Sequence, residues 1–255
     1  MGLSEFKKLY QPRLYRASFN SRRFSSFTLQ YRETDLWIGV DPESFVQEMA
    51  ELAKKVVVDI WHVLEEYIQT NPDFATSLVP VEIQNGAPGE VIEMARAAAR
   101  ANVGPMAAVA GLFSERVGKA LINSFPVNEL VVENGGDIFL KLKNDLIMSV
   151  FAGNSPLSEK LGVKIPAEET PVGVCTSSGT IGPSLSFGMA DAVMVACRST
   201  ALADAFATSF GNKVKSPGVI GDVLKNSEDY PEILSMIIIC RDKTGIRGNF
   251  ELKLI

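Results

Sequence analysis

The chain has 255 residues, of which 46% are hydrophobic and 22% charged, with a formal net charge of −5. These values exclude disordered, collagen-like and strongly basic classes, and the length supplies ample core without a disulfide or metal staple. With 30 acidic against 25 basic residues, nothing draws the whole chain to nucleic acid.

No window reaches the run of about 18 apolar residues that a bilayer span needs, and the first residues, MGLSEFKKLY, lack the apolar core of a secretory signal. Cys175, Cys197 and Cys240 are odd in number and widely spaced, which fits reduced thiols. The expectation is a cytoplasmic protein with no membrane and no nucleic-acid partner. Residues 1–23 form a locally basic arm with Lys7, Lys8, Arg13, Arg16, Arg22 and Arg23, suited to an anionic ligand or to solvation.

Residues 24–40 alternate apolar and polar side chains on either side of Arg32 to Asp35 and predict a hairpin. From Pro42, apolar residues recur every three or four positions (Phe45, Met49, Leu52, Val56, Ile60, Val63, Leu64, Tyr67), which predicts one long amphipathic helix ending near Asn71. A Pro- and Gly-rich loop precedes helices over 90–101 and 106–123, separated by Gly104-Pro105. The small residues Ala107, Ala108, Ala110 and Gly111 would let the second of these approach a neighbour closely.

Short β-branched runs at 129–134, 138–142 and 146–151 then suggest a meander, followed by a loop over 154–170 and strands at 172–176 and 190–197. Ser199 or Thr200 caps a helix over 201–210, which Gly211-Asn212 ends. A short segment over 219–225, a strand over 234–240, a turn over 242–245 and a terminal strand over 250–255 complete the chain. Strands grouped in hairpins and helices in a block favour an α+β domain of 1–255 with mixed or mainly antiparallel sheets.

The single histidine, His62, excludes a multi-histidine zinc site, and GxGxxG and Walker patterns are absent. Three elements could carry chemistry. Asn134-Gly135-Gly136-Asp137 is a tight hairpin turn, or a backbone bare enough for a flat or anionic ligand to lie on. Ser177-Ser178-Gly179 opens a loop rich in hydroxyls and N–H groups, suited to phosphate or simply flexible. Asp204 and Thr208 lie one helical turn apart, a spacing that suits Mg²⁺ or Ca²⁺, although Asp204 alone would also complement a helix N-terminus.

In this order and spacing, Ala107 to Glu115, Glu133 to Ile138, Ser177 to Gly179 and Ala203 to Thr208 resemble the ApbE-type flavin transferase superfamily, and more narrowly an uncharacterised ApbE-like family of bacteria and archaea. The resemblance implies an ApbE-like, T-fold-related fold and FMN transfer from FAD to a Ser or Thr hydroxyl of an acceptor protein. It also implies Mg²⁺ held by Asp204, Thr208 and the Ala107 carbonyl. Glu115, Asn134, Gly135, Gly136, Asp137, Ser177, Ser178 and Gly179 would line the nucleotide site. The family's Lys-Gly pair stands here as Ala110-Gly111, its later Asp as Glu115, and its histidine segment as GTIGPSLSFGMAD. A flavin or other phosphate-bearing ligand bound without transfer is the alternative, and an oligomer is left open. Glu115, Asp137, Ser178, Asp204 and Thr208 are expected to line one pocket.

Overall fold

A computed structural model describes residues 22–180 and 186–255. Of the basic arm, only Arg22 and Arg23 fall within the described residues. The alternation after Phe24 produces β1 (Ser25–Tyr31) and β2 (Thr34–Val40), which pair antiparallel across an Arg32-Glu33 turn with Arg32 at φ 52°.

The remaining strands are β3 (Leu130–Asn134), β4 (Asp137–Lys141), β5 (Leu146–Ser149), β6 (Leu161–Ile165), β7 (Val172–Ser177), β8 (Ala192–Cys197), β9 (Ile233–Cys240), β10 (Lys243–Gly248) and β11 (Glu251–Leu254). Among the described residues the helices are α1 (Glu48–Thr70), α2 (Asp73–Thr76), α3 (Gly89–Ala101), α4 (Val109–Ser124), α5 (Thr200–Lys213) and α6 (Ile220–Asn226).

Eight strands form one sheet in the order β1-β2-β3-β4-β7-β8-β9-β10, and three form another in the order β11-β6-β5, with every ladder antiparallel. The large sheet is covered on both faces, so its inner strands read as continuous apolar runs. Leu36, Ile38, Val132, Phe139, Cys175, Val193 and Val195 pack against the helices. Their sequence neighbours Trp37, Val131, Leu140, Val174 and Met194 pack toward the small sheet. The result is the expected α+β architecture, layered helices, large sheet, small sheet.

Several boundaries depart from the sequence expectation for local reasons. The helix expected from Pro42 begins at Glu48. Asp41 accepts hydrogen bonds from the Glu129 N–H (2.8 Å), the Asn128 N–H (3.1 Å) and the Ser44 hydroxyl (2.9 Å), which holds residues 41–44 as a turn. The helix expected over 106–123 is a 3₁₀ turn, Pro105–Ala108, followed by α4.

The third run of the expected meander, β5, leaves the large sheet and pairs with β6, a strand inside the expected 154–170 loop. Gly162 and Lys164 hide β6 in the sequence; Gly162 is needed because a Cβ there would sit 2.8 Å from Ile147 Cγ2. Gly211-Asn212 does not end α5, which runs to Lys213. The close approach there is a requirement on Gly188, where a Cβ would stand 1.9 Å from the Gly211 carbonyl oxygen. The turn expected over 242–245 shrinks to Arg241-Asp242, with Arg241 at φ 57°, and the residues after it form β10. The segment near 219–225 is helical, as α6.

Candidate functional site

The site begins where α4 meets α5. At Gly111 the two helices are in contact, since a Cβ there would lie 2.4 Å from the Thr200 carbonyl oxygen and 2.9 Å from Asp204 Cβ. Ser199 caps α5, its hydroxyl accepting from the Leu202 N–H. A second cap comes from α4: buried Glu115 accepts through Oε2 from the Thr200 N–H (2.6 Å), the Ser199 hydroxyl (3.2 Å) and the Ala201 N–H (3.4 Å). Its Oε1 is paired with Lys119 at 2.6 Å.

Asp204 makes the return connection. Its carboxylate accepts from the Gly111 N–H at 2.9 Å and from the Ala110 N–H, in the first turn of α4. Burial pushes its carboxyl up to about 7, against the lowering effect of those two hydrogen bonds. The two N–H groups and the positive N-terminus of α4 favour the ionised form against that desolvation.

The large sheet supplies the rest. Alternation along β7 places Gly173, Cys175 and Ser177 on the helix side, and Cys175 pairs in register with Asp137 of β4. Burial raises the Cys175 thiol well above its ordinary range, and the charges of Asp137 and Asp204, with a hydrogen bond to Asp137, raise it further. The thiol itself donates to the Thr200 carbonyl at 3.4 Å, at the start of α5. The Ser114 hydroxyl donates to the Asp137 carbonyl (2.7 Å) and the Asn134 amide to the Ala110 carbonyl (3.3 Å), tying the β3–β4 turn to the start of α4.

In that turn Gly135 has φ 71° and Gly136 φ 104°, backbone that glycine adopts without strain. The Gly136 N–H donates to Glu133 Oε1 (2.9 Å), and its carbonyl accepts from the Thr176 N–H (3.1 Å), which brings the turn against the end of β7. Ser177 abuts Gly211, farther along α5. Ser178 interacts with the Thr180 hydroxyl and accepts from its N–H (3.1 Å), while the Gly179 N–H donates to the Ala190 carbonyl (2.8 Å).

Asn134 and Asp204 thus reach the first turn of α4, at Ala110 and Gly111, and the Asp137 carbonyl meets α4 farther on, at Ser114. Thr208 is half-buried one turn beyond Asp204, and Ala107 is half-buried in the 3₁₀ turn that packs on α5. Ser177 borders this group along α5, and Ser178 and Gly179 lead away from it. Glu115 stands apart, with both oxygens engaged inside the protein. Clefts of about 270 Å³, beside Arg23, Asp41 and Glu129, and about 450 Å³, between α6 and β10, include none of these residues.

Among the described residues no three His, Cys, Asp or Glu side chains cluster as a metal site. A cation at Asp204 would therefore draw its other ligands from hydroxyl, carbonyl and substrate oxygens, the all-oxygen set that Mg²⁺ prefers. Sequence reasoning passed over Cys175 and Ser114 as site residues. The alternation in VGVCTS was the available signal for Cys175, while Ser114 shows its role only through its contact with β4.

The family model described as "AbpE bacteria" matches residues 16–228. The chain is 38% identical over 222 residues to a UPF0280 protein of Methanocaldococcus jannaschii, spanning 85% of this chain and 88% of that protein. It is 43% identical over 225 residues to a UPF0280 protein of Methanococcus vannielii, spanning 86% and 89%. In fold it is similar to the apo form of Pseudomonas stutzeri flavinyl transferase ApbE, with a TM-score of 0.51 and 11% identity, over 89% of this chain and 94% of that one. Among the described residues no helix is long and apolar enough to cross a membrane. With its motifs on an ApbE-like, flavin-transferase-like fold, the chain belongs to the family described as "AbpE bacteria".

Proposed function

We propose that this protein binds FAD or a related dinucleotide with Mg²⁺ and passes FMN to a serine or threonine hydroxyl of an acceptor protein. The observation that carries the reading is Asp204, whose carboxylate accepts from the Gly111 N–H in the first turn of α4, the same turn to which Asn134 ties the side-chain-free Gly135-Gly136. Asp204, the Thr208 hydroxyl and the Ala107 carbonyl are the oxygen donors that would hold the cation, whose chemistry is to neutralise pyrophosphate charge.

The chain's own groups orient the substrate. Gly135 and Gly136 give it a surface free of Cβ atoms, and Asn134 fixes that turn on α4. In the transfer, the acceptor oxygen forms a bond to the FMN phosphorus while the bond from that phosphorus to the AMP oxygen breaks. AMP departs with the bridging oxygen, and the hydroxyl proton passes to solvent water. The three buried free thiols suit the reducing cytoplasm in which we place the protein.

A second reading, binding without transfer, is favoured by the position of the one histidine. His62 is exposed on α1, so no imidazole serves the site, and Ala110 replaces the family's lysine. Incubation with FAD, Mg²⁺ and a hydroxyl-bearing acceptor protein, followed by chromatography for AMP and mass analysis for attached FMN, separates the two. Release of AMP with flavin on the acceptor supports transfer. Thermal stabilisation by FAD and Mg²⁺ without AMP supports binding alone; at ligand 100-fold above Kd it amounts to about 2.7 kcal/mol. Neither AMP nor stabilisation overturns both.

A further inference from the structure

We infer that Glu115 is a positioning residue, which sets the place of the Asp204 carboxylate by holding the first turn of α5 and touches no ligand itself. The inference deepens the Mg²⁺–dinucleotide reading and rests on it for its functional consequence, although its geometric half can be tested alone.

Glu115 projects from the middle of α4, is 2% exposed, and sends Oε2 to the N–H groups of Thr200 and Ala201 and to the Ser199 hydroxyl. These are the groups that an α5 freed from α4 would leave without an intrahelical partner. Oε1 is held by Lys119, itself 57% exposed, so both oxygens are engaged by the protein's own groups. Asp204 follows Thr200 by about one turn, or about 6 Å along the helix. A shift or rotation of that first turn therefore moves the Asp204 carboxylate off the Gly111 N–H.

Gly111 removes the slack from this linkage. A Cβ at that position would collide with Thr200 and Asp204 together, so the backbone of α4 reads the position of both residues at once. Glu115 acts on Thr200, Thr200 fixes the start of α5, and Asp204 reports the result back to α4. A residue that only added stability would lower the melting temperature without moving the Asp204–Gly111 contact, and a ligand-contacting residue would change binding without passing through Asp204.

The experiment uses Glu115→Gln, which keeps shape and removes charge, together with Asp204→Asn and the double variant, each checked for native circular dichroism. The first readout is the backbone amide resonance of Gly111 in ¹⁵N-labelled protein without ligand; the second is binding of Mn²⁺ alone, followed by the electron paramagnetic resonance of the free ion. If Glu115 positions Asp204, Glu115→Gln moves the Gly111 resonance. It also weakens Mn²⁺ binding roughly tenfold in the wild-type background, and not at all on top of Asp204→Asn.

An unmoved Gly111 resonance overturns the positioning role. Additive losses of Mn²⁺ affinity overturn it as well, since they would mean that Glu115 acts on the ion independently. If Glu115→Gln fails to fold, Glu115→Asp, which draws the carboxylate back by one methylene from the Thr200 and Ala201 N–H groups, must shift the Gly111 resonance, and no shift overturns the inference. A moved resonance with Asp204→Asn leaving Mn²⁺ affinity intact keeps the positioning role and removes the metal reading instead.

Discussion

Glu115 and Asp204 cap each other's helices: the α4 carboxylate takes the first N–H groups of α5, and the α5 carboxylate takes those of α4. The exchange satisfies two sets of terminal donors in a region too crowded for water to do so. It also joins α5 to the turn of α4 that anchors Asn134, and under the proposed function the Asp204 carboxylate would serve chemistry as well as packing.

Asp204→Asn and Thr208→Val should separate these two roles. Each is expected to reduce Mn²⁺ affinity at least tenfold. Thr208→Val should change the melting temperature little, whereas Asp204→Asn exchanges a helix cap, worth about 0.5–2 kcal/mol, for relief of desolvation. Titration calorimetry with Mg²⁺ or Mn²⁺ alongside thermal melts checks both, and undiminished binding by Asp204→Asn would remove the metal assignment.

The pH dependence of stability carries a definite sign. The native Asp204 carboxyl is raised from 3.8 to about 7, so between those values the folded protein binds more protons than the unfolded chain. Its contribution to stability therefore falls as pH rises through that window. In EDTA the Asp204→Asn variant should lose less stability than the wild type between pH 5 and pH 8. Mg²⁺ should raise the wild-type melting temperature more at pH 8 than at pH 5, which calorimetry at the two pH values tests.

Gly111→Ala should be costly for its size. The added methyl meets the Thr200 carbonyl at 2.4 Å and Asp204 Cβ at 2.9 Å, so α4 and α5 must separate. Overpacking of this kind costs about 1–3 kcal/mol. A chain of this length should then melt roughly 2–10 °C lower, by the usual conversion for larger domains. Metal affinity should fall with stability here, unlike in Thr208→Val.

Gly136→Ala tests the turn. The new Cβ would come no nearer than 3.6 Å to the Thr176 carbonyl oxygen, so the cost lies in φ 104° rather than in collision. A loss of about 1–3 kcal/mol is expected in urea unfolding, together with weaker quenching of flavin fluorescence on titration with FAD.

Away from the site, Arg23 holds Glu129 through two hydrogen bonds, at 2.8 and 3.0 Å. Burial raises the Glu129 carboxyl, but the Arg23 hydrogen bonds and the N–H groups of Asn144 and Lys143 outweigh it and leave it below its ordinary value. That stabilisation is present above pH 4.5 and is lost as pH falls through the lowered native value. Arg23→Ala should cost about 1.5–3 kcal/mol at pH 7 and less under acid conditions, measured by urea unfolding at the two pH values.

The sequence by itself determined what depends on near neighbours. Alternation in SSFTLQY and the apolar run in TDLWIGV gave the first hairpin, three- and four-residue apolar spacing gave α1, Ser199 marked the start of α5, and Gly135-Gly136 marked a turn. The order of its motifs also disclosed the flavin-transferase-like fold. Where a signal depended on a distant partner, only the tertiary structure decided. Gly162 weakens the β6 pattern because Ile147 occupies its side-chain space, and Gly211-Asn212 reads as a stop although α5 runs on to Lys213. Glu115 and Asp204 meet their helix termini across 85 and 93 residues of chain, a separation over which no local periodicity speaks. What fixes those pairings is the closeness of α4 and α5, which the packed sheet imposes and which leaves each buried carboxylate one good set of donors.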